Sequence, residues 1–307
     1  MLKKVCLVLF VLLNVLLAEF ILLPHICHSK KFFIKFATIA PEGSTWLKHL
    51  RSLDKNLRAR SGGQIGFRIY AGGIAGDELD VLRKIRIGQI HCAAFSGVCL
   101  AQILPMVRIL DLPFLFRNYE EVDLVNRELQ GFFSKEFRKK DFEFIAWAEV
   151  GNVYLFSKKP IRKVPDLRGL KIWTWYGDPI SKEFFSLIGT NPIPLTITDV
   201  TTALNTGMID TFYAPPLGAL ALQWYTYVKY MNSLPLAHAT SAVLISSKYY
   251  REIPPNLSKI LNDEFQKAMA DLTSDLRQQT EESIKLIQKS GLEIIPVPPE
   301  ADLQSFY

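Results

Sequence analysis

The chain has 307 residues, 49% of them hydrophobic and 21% charged, with a formal net charge of +6. That composition excludes an intrinsically disordered chain, and the roughly 280 residues beyond the first apolar segment suffice for two modest domains. The basic residues are scattered, with no Lys/Arg stripe interleaved with aromatics, so no nucleic-acid partner is expected.

The first residues set the compartment. Lys3 and Lys4 precede the apolar run "VCLVLFVLLNVLLAEFILL", which is followed by "PHICHS". A basic start, an apolar centre and small residues near a cut predict a secretory signal peptide over residues 1–29, cleaved after Ser29. An uncleaved amino-terminal anchor is the alternative, because the apolar run is long. A lipoprotein is disfavoured by Ile26, which fills the small-residue slot before Cys27. Past the leader, Cys92 and Cys99 are the remaining cysteines. Nothing in their spacing fixes the geometry of a disulfide, and they read as two buried thiols.

"KFFIKFATIA" reads as a strand, and "GSTWLKHLRSLDKNLRARSG" as a helix capped by Ser44 or Thr45 and stopped at Gly62-Gly63. "QIGFRIYAGG" is a second strand, and "AGDELDVLRKIRIGQIHCAAFS" gives a helix and then a strand ending near Ala94. A helix at "YEEVDLVNRELQGFFSKEFRKK" leads into the strand "FEFIAWAEVG". This alternation is that of an α/β fold with largely buried strands. A second unit is expected from Gly151, with the strands "NVYLFSK" and "LKIWTW", the helix "PISKEFFSLIG" and a short strand at Ile193-Pro194. The helix "ITDVTTALNTG" and the strand "MIDTFYAP" follow, and "HATSAVLISSKYY" is a further strand run. From Pro254 to Gly291, apolar Leu257, Ile260, Leu261 and Phe265 keep a helical period and predict a long amphipathic helix. Two α/β lobes joined by several chain crossings follow, with a ligand expected where strand carboxyl ends face each other.

No catalytic, cofactor or metal signature accompanies these elements. Gly72-Gly73 and Gly76 lack the Walker lysine and the dinucleotide spacing, and no G-x-S-x-G occurs. The five histidines show no H-E-x-x-H or paired metal spacing, and the acids fall mostly at solvated positions of helices. A binding protein is therefore expected, with no enzyme activity, cofactor or metal. One stretch draws the eye to a site. "PDLRGLKIWTWYGDP" places Trp173 and Trp175 two residues apart, with Tyr176 next and a helix start at Asp178-Pro179. In a strand both indoles share a face, either as a lid on a core or as the wall of a pocket.

Several signatures in fixed order add a resemblance: "FATIAPEGSTW", "YAGGIAGDELDVLRKIRIGQIHCA", "DLPFLFRNYEEV", "SKKPIRKVPDLRGLKI" and "LTITDVTTALNTGMIDTFYAPP". From about Phe32 to past Lys285 the chain resembles the solute-binding subunit of TRAP (tripartite ATP-independent periplasmic) transporters, of the DctP type. The resemblance implies an exported, periplasmic protein of two α/β lobes with a ligand cleft between them and a long helix spanning both. It implies closure on one small organic molecule and delivery to a membrane permease. Lobe I is then expected over residues 30–150 and 240–278, and lobe II over 151–239 and 279–307. An enzyme reusing the fold is the alternative class, and it would need a clustered acid or base.

The departures from the family pattern are as informative as the matches. Trp173 stands where the resemblance places an arginine that grips a substrate carboxylate, and Val153 where it places a second basic residue. Phe212, Tyr213 and Ala214 fill the slots of a Q-E-N run whose Asn contacts ligand. Ile197 replaces a pocket aromatic, and His238 falls near an expected Asn. Phe95 and Ser96, where the outer strand ends, are expected at the rim. With Trp175 and Tyr176, these residues predict a cleft for an apolar or amphipathic ligand, in which Trp173 and Tyr213 each keep one polar tip for it. Trp46, Trp147 and Trp224 are assigned to core or lobe packing. A carboxylate ligand remains the alternative if Arg68, Arg108 or a metal replaces the missing arginine.

Overall fold

The computed structural model describes residues 30–296. The expected leader, and residues 297–307 of the expected second lobe, lie outside the described residues. Strand β1 (Phe32–Ala37) buries Phe32, Ile34 and Phe36 on one face, the period-two burial of a sheet packed by helices. It lies between β2 (Ile65–Tyr70) and β3 (Cys92–Ser96), parallel to both. Beyond β3 come β9 (Ala237–Ser246) and β4 (Phe142–Ser157), each antiparallel to its neighbour.

Helices cover both faces of this first sheet. On one, α1 (Thr45–Arg60) and a long carboxy-terminal helix bring Leu47, Leu50, Leu257, Leu261 and Phe265 against Phe36 and Phe67. Ser44 caps α1 by accepting from the Leu47 amide, which settles the choice between Ser44 and Thr45. On the other face, α2 (Glu78–Arg86) and α3 (Tyr119–Arg138) close over Phe95, Phe137 and Phe144. Cys92 and Cys99 are free, buried thiols.

The two strands expected on either side of Gly151 run on as one. β4 is one strand of 16 residues that leaves the first lobe and enters the second. Its first part pairs with β9, and its last part with β7 (Thr211–Ala214) and β8 (Tyr230–Asn232). Gly151 sits at a register irregularity with φ of 98°. A residue without a Cβ absorbs the bulge there and keeps the ladder running. The predicted strand "LKIWTW" shrinks to β5 (Trp173–Trp175), paired with β6 (Ile193–Leu195), while Ile172 makes a single bridge to Thr211. The run "SSKYY" leaves β9 and turns into the short helix Ser247–Tyr250. A last strand, β10 (Glu293–Ile295), joins β8.

In the second lobe α4 (Pro179–Leu187) follows β5, with Asp178 as cap. The long helix α5 (Pro255–Lys289) has 35 residues. It packs Leu257 to Leu276 into the first lobe and Ile287 into the second. The protein is thus a two-lobed α/β structure with one helix spanning both lobes. Among the described residues no helix is long and apolar enough to cross a membrane.

Candidate functional site: a cavity between the lobes

A cavity of about 310 Å³ opens where the carboxyl ends of β1 and β3 face β5 and β7. The wall from the second lobe is aromatic. Trp173 is almost fully buried, stacks on Tyr213 at 5.1 Å between ring centroids, and meets Trp224 edge-on at 5.5 Å. Its ring packs in the lobe core and also faces the cavity, so the indole is lid and wall at once. Trp175 shares its face, 6.1 Å away, and also lines the cavity. Val153, Ile197, Ala214, Ser96 and His238 line it as well.

Three predicted positions fall elsewhere. Tyr176 is 57% exposed and turns to solvent, because β5 ends at Trp175 and the chain bends through Gly177. Phe212 alternates with Tyr213 along β7 and points into the core, stacked on Phe156 at 4.9 Å. Phe95 likewise lies on the buried side of β3, while Ala94 and Ser96 take the cavity side. The Trp173 tip is already used, and the Tyr213 hydroxyl is engaged as an acceptor. Trp173 Nε1 donates to the Leu195 carbonyl at 3.1 Å, and the Tyr213 hydroxyl accepts from the Trp175 amide at 3.2 Å.

Two tryptophans assigned to packing belong to the site. Trp46 and Trp224 both line the cavity, and Trp46 Nε1 donates to the Glu149 carbonyl at 3.3 Å. Trp147 stays in the first lobe, bonded to the Asn126 carbonyl.

The acids depart furthest from expectation. Glu78, Asp111, Glu149 and Asp178 are all buried and all line the cavity. Burial pushes the Glu78 carboxyl up to about 8, against the hydrogen bonds that the Ser96 amide and hydroxyl donate to it. Burial also raises Asp111 and Glu149 above the usual carboxylate range, even though each faces an arginine. His238 is held neutral, with burial driving its pKa down to about 4.

Arg108 is the arginine in the cavity wall, and it is already held at both ends. Nη1 pairs with Asp111, and Nη2 reaches across the cleft to Asp178 Oδ1 at 2.6 Å. Asp111 fits because position 97 is glycine: a Cβ there would lie 1.7 Å from Asp111 Oδ2. A second bond crosses between the lobes from Trp175 Nε1 to Asp77 Oδ2, at 3.3 Å. Arg68 is exposed on β2, away from the cavity. Among the described residues no cluster of three or more His, Cys, Asp or Glu side chains is arranged to hold a metal ion.

A family model for bacterial extracellular solute-binding proteins, family 7 (DctP), matches residues 36–307. The chain belongs to this family. It is 23% identical over 248 residues to the 2,3-diketo-L-gulonate-binding periplasmic protein YiaO of Escherichia coli, covering 78% of this chain and 73% of that one. The sialic acid-binding periplasmic protein SiaP of Vibrio cholerae is 20% identical over 85% of this chain and 82% of its own length. A solved TRAP periplasmic solute-binding protein of Desulfovibrio salexigens, with bound orotic acid, superposes with a TM-score of 0.84 at 23% identity. That match covers 90% of this chain and 89% of the other. A Xanthobacter autotrophicus counterpart with bound β-D-galacturonate gives 0.84 at 20% identity, over 89% and 92% of the two chains.

These matches establish a TRAP solute-binding protein of the DctP type, a class that binds small organic molecules and works with membrane permeases. Within that family the cavity pairs aromatic walls with acids and with an arginine that is engaged by the protein itself. Such a surface holds and orients a molecule by burial and a few hydrogen bonds.

Proposed function

We propose that this protein is a periplasmic receptor whose cleft takes an apolar or amphipathic organic ligand without a carboxylate and passes it to a TRAP permease. The observation that carries this reading is that Arg108 is already ion-paired to Asp111 through Nη1 and to Asp178 through Nη2. A carboxylate entering the cleft would have to compete with two resident carboxylates for that guanidinium. Without a partner it would meet a desolvation penalty of several kcal/mol beside buried acids. The indoles of Trp46, Trp173, Trp175 and Trp224 favour an apolar body instead, at about 25 cal/mol per Å² of apolar surface covered. Trp173, Trp175, Val153, Ile197, Tyr213, Ala214, Ser96 and His238 are the proposed ligand-contacting residues. The lobes are proposed to divide where β4 passes Gly151, with the leader directing export.

A second reading has its own support. The solved neighbours carry orotic acid, β-D-galacturonate and D-glucuronate, and Arg108 would serve an acid if Asp178 swung away. Mass spectrometry of ligand released from natively purified protein separates the two. A neutral or amphipathic molecule with an apolar body is expected. Recovery of a uronate or a small dicarboxylate overturns the first reading in favour of the second.

A further inference from the structure

We infer that the end of the second lobe remote from the cavity is a docking surface for the anionic headgroups of a phospholipid bilayer, and that it holds the receptor by charge at the membrane of its permease. The inference is independent of which ligand the cleft takes.

Strand register defines this end. β5 and β7 turn their carboxyl ends to the cavity, so their amino ends lie opposite. Thr211, which opens β7, pairs with Ser157, and Ser157 pairs with Tyr230 at the start of β8. Glu293, at the start of β10, is next in the row. β4 therefore ends here, where β5, β7, β8 and β10 begin. The connecting segments are joined to one another by their backbones. The Lys158 amide donates to the Asp210 carbonyl at 3.0 Å, and the Lys229 amide to the Ser157 carbonyl at 3.0 Å. The Lys171 amide donates to Asp210 Oδ1 at 2.9 Å.

Positive charge that is scattered along the sequence gathers on these segments. Lys158 and Lys159 follow β4, and Arg162 and Lys163 occupy the next turn. Arg168 and Lys171 lead into β5, and Lys229 leads into β8. All of these cations are exposed. The acids on the same segments are Asp166, Asp210 and Glu293, fewer than half as many. Arg162 stands 3.8 Å from Glu293 with both side chains more than half exposed, a contact that neutralises little. Among the described residues, Lys158, Lys159, Lys163, Arg168 and Lys229 make no ion pair.

Two apolar side chains project from the same end. α4 starts at the cavity with Asp178 and ends at Leu187, which is 78% exposed. The helix Val200–Thr206 likewise follows Ile197 at the cavity and delivers Met208, which is 52% exposed. Both stand among the cations. A Cβ at Gly189 would lie 3.7 Å from Arg168 Nε, and Lys171 Nζ donates to the Gly207 carbonyl at 3.0 Å. Cations surrounding exposed apolar tips suit the zone where lipid phosphates meet acyl chains. The attraction grows with each Lys or Arg near the surface and acts within about 10 Å. A receptor of this family works with a membrane permease, so a bilayer surface is at hand. Holding the receptor there raises its rate of encounter with the permease.

Co-sedimentation of the full mature protein with vesicles tests this, using phosphatidylcholine alone or with phosphatidylglycerol as about a third of the lipid. Binding to the mixed vesicles is expected to exceed binding to phosphatidylcholine by about tenfold or more, and to fall steeply as salt is raised. Lys159→Glu combined with Lys229→Glu should reduce it by about tenfold or more. Lys48→Glu combined with Lys55→Glu makes the same change in net charge on α1 of the first lobe, and it should leave binding close to the parent's. Equal effects of the two pairs, whether loss or none, overturn the docking surface. Equal binding of the parent to both lipids also overturns it. Binding to phosphatidylcholine vesicles only when they carry the permease overturns it in favour of a protein contact.

Discussion

Glu78 sits in the cavity wall with its carboxyl held by the Ser96 amide and hydroxyl, and it carries a proton up to about pH 8. A carboxyl whose folded pKa lies above its ordinary 4.5 binds an extra proton in the native state. Stability then falls as pH rises from about 4.5 through about 8, because ionisation strands a charge away from water. Thermal unfolding followed across that range should show the decline in the parent protein and a flatter profile in Glu78→Gln. Identical slopes would remove Glu78 as the cause. His238 acts at the acid end: held neutral with a pKa near 4 instead of 6.5, it withdraws stability as pH falls through that window. How much of the site was legible in the sequence follows the same physics. Trp173 could be placed from strand parity and the motif around it. Phe95 and Ser96 could not be told apart, because a shift of one residue in a strand exchanges core for cavity. The buried acids gave no signal, since nothing local to Glu78, Asp111 or Glu149 announces the partner that tolerates its burial.

At the scale of elements, β4 carries the architecture. It was legible as strand on both sides of Gly151, yet the glycine reads as a boundary until the partner strands are known. β9 on one side and β7 and β8 on the other hold it continuous. The short strands β8 and β10 were missed for the opposite reason: three residues give too little periodicity to distinguish them from loop. Gly151 has a φ of 98°, and an added Cβ would meet nothing within 4 Å, so its role is conformational and not steric. Gly151→Val should cost about 1–3 kcal/mol in denaturant unfolding from backbone strain alone. Gly131, inside α3 and also with open space around it, provides the contrast. Gly131→Ala should raise stability by up to about 1 kcal/mol. A neutral result at Gly151 would mean that the bulge relaxes at no cost.

For the whole molecule, the two lobes meet through polar contacts across the cavity as well as through α5 beneath it. The Arg108–Asp178 pair is an ionic contact among these, with side chains 12% and 3% exposed. Removing one partner of so enclosed a pair leaves an unpaired charge, whereas an exposed pair would matter little. Asp178→Asn retains an oxygen able to cap α4 but forfeits the ionic bond. Small-angle scattering of the unliganded variant should give a larger radius of gyration than the parent, as the closed population falls. The freed guanidinium should also raise affinity for D-glucuronate. Unchanged scattering together with unchanged glucuronate binding would show that the pair does not hold the lobes.

The carboxylate of Asp178 has a second engagement. The same Oδ1 that receives Arg108 Nη2 also receives the Ile180 amide at the start of α4. That backbone contact does not depend on the guanidinium, and it would hold the oxygen toward the gap if the pair opened. A guanidinium returning to the gap would meet an acceptor already aimed at it, with no conformational search on the acidic side.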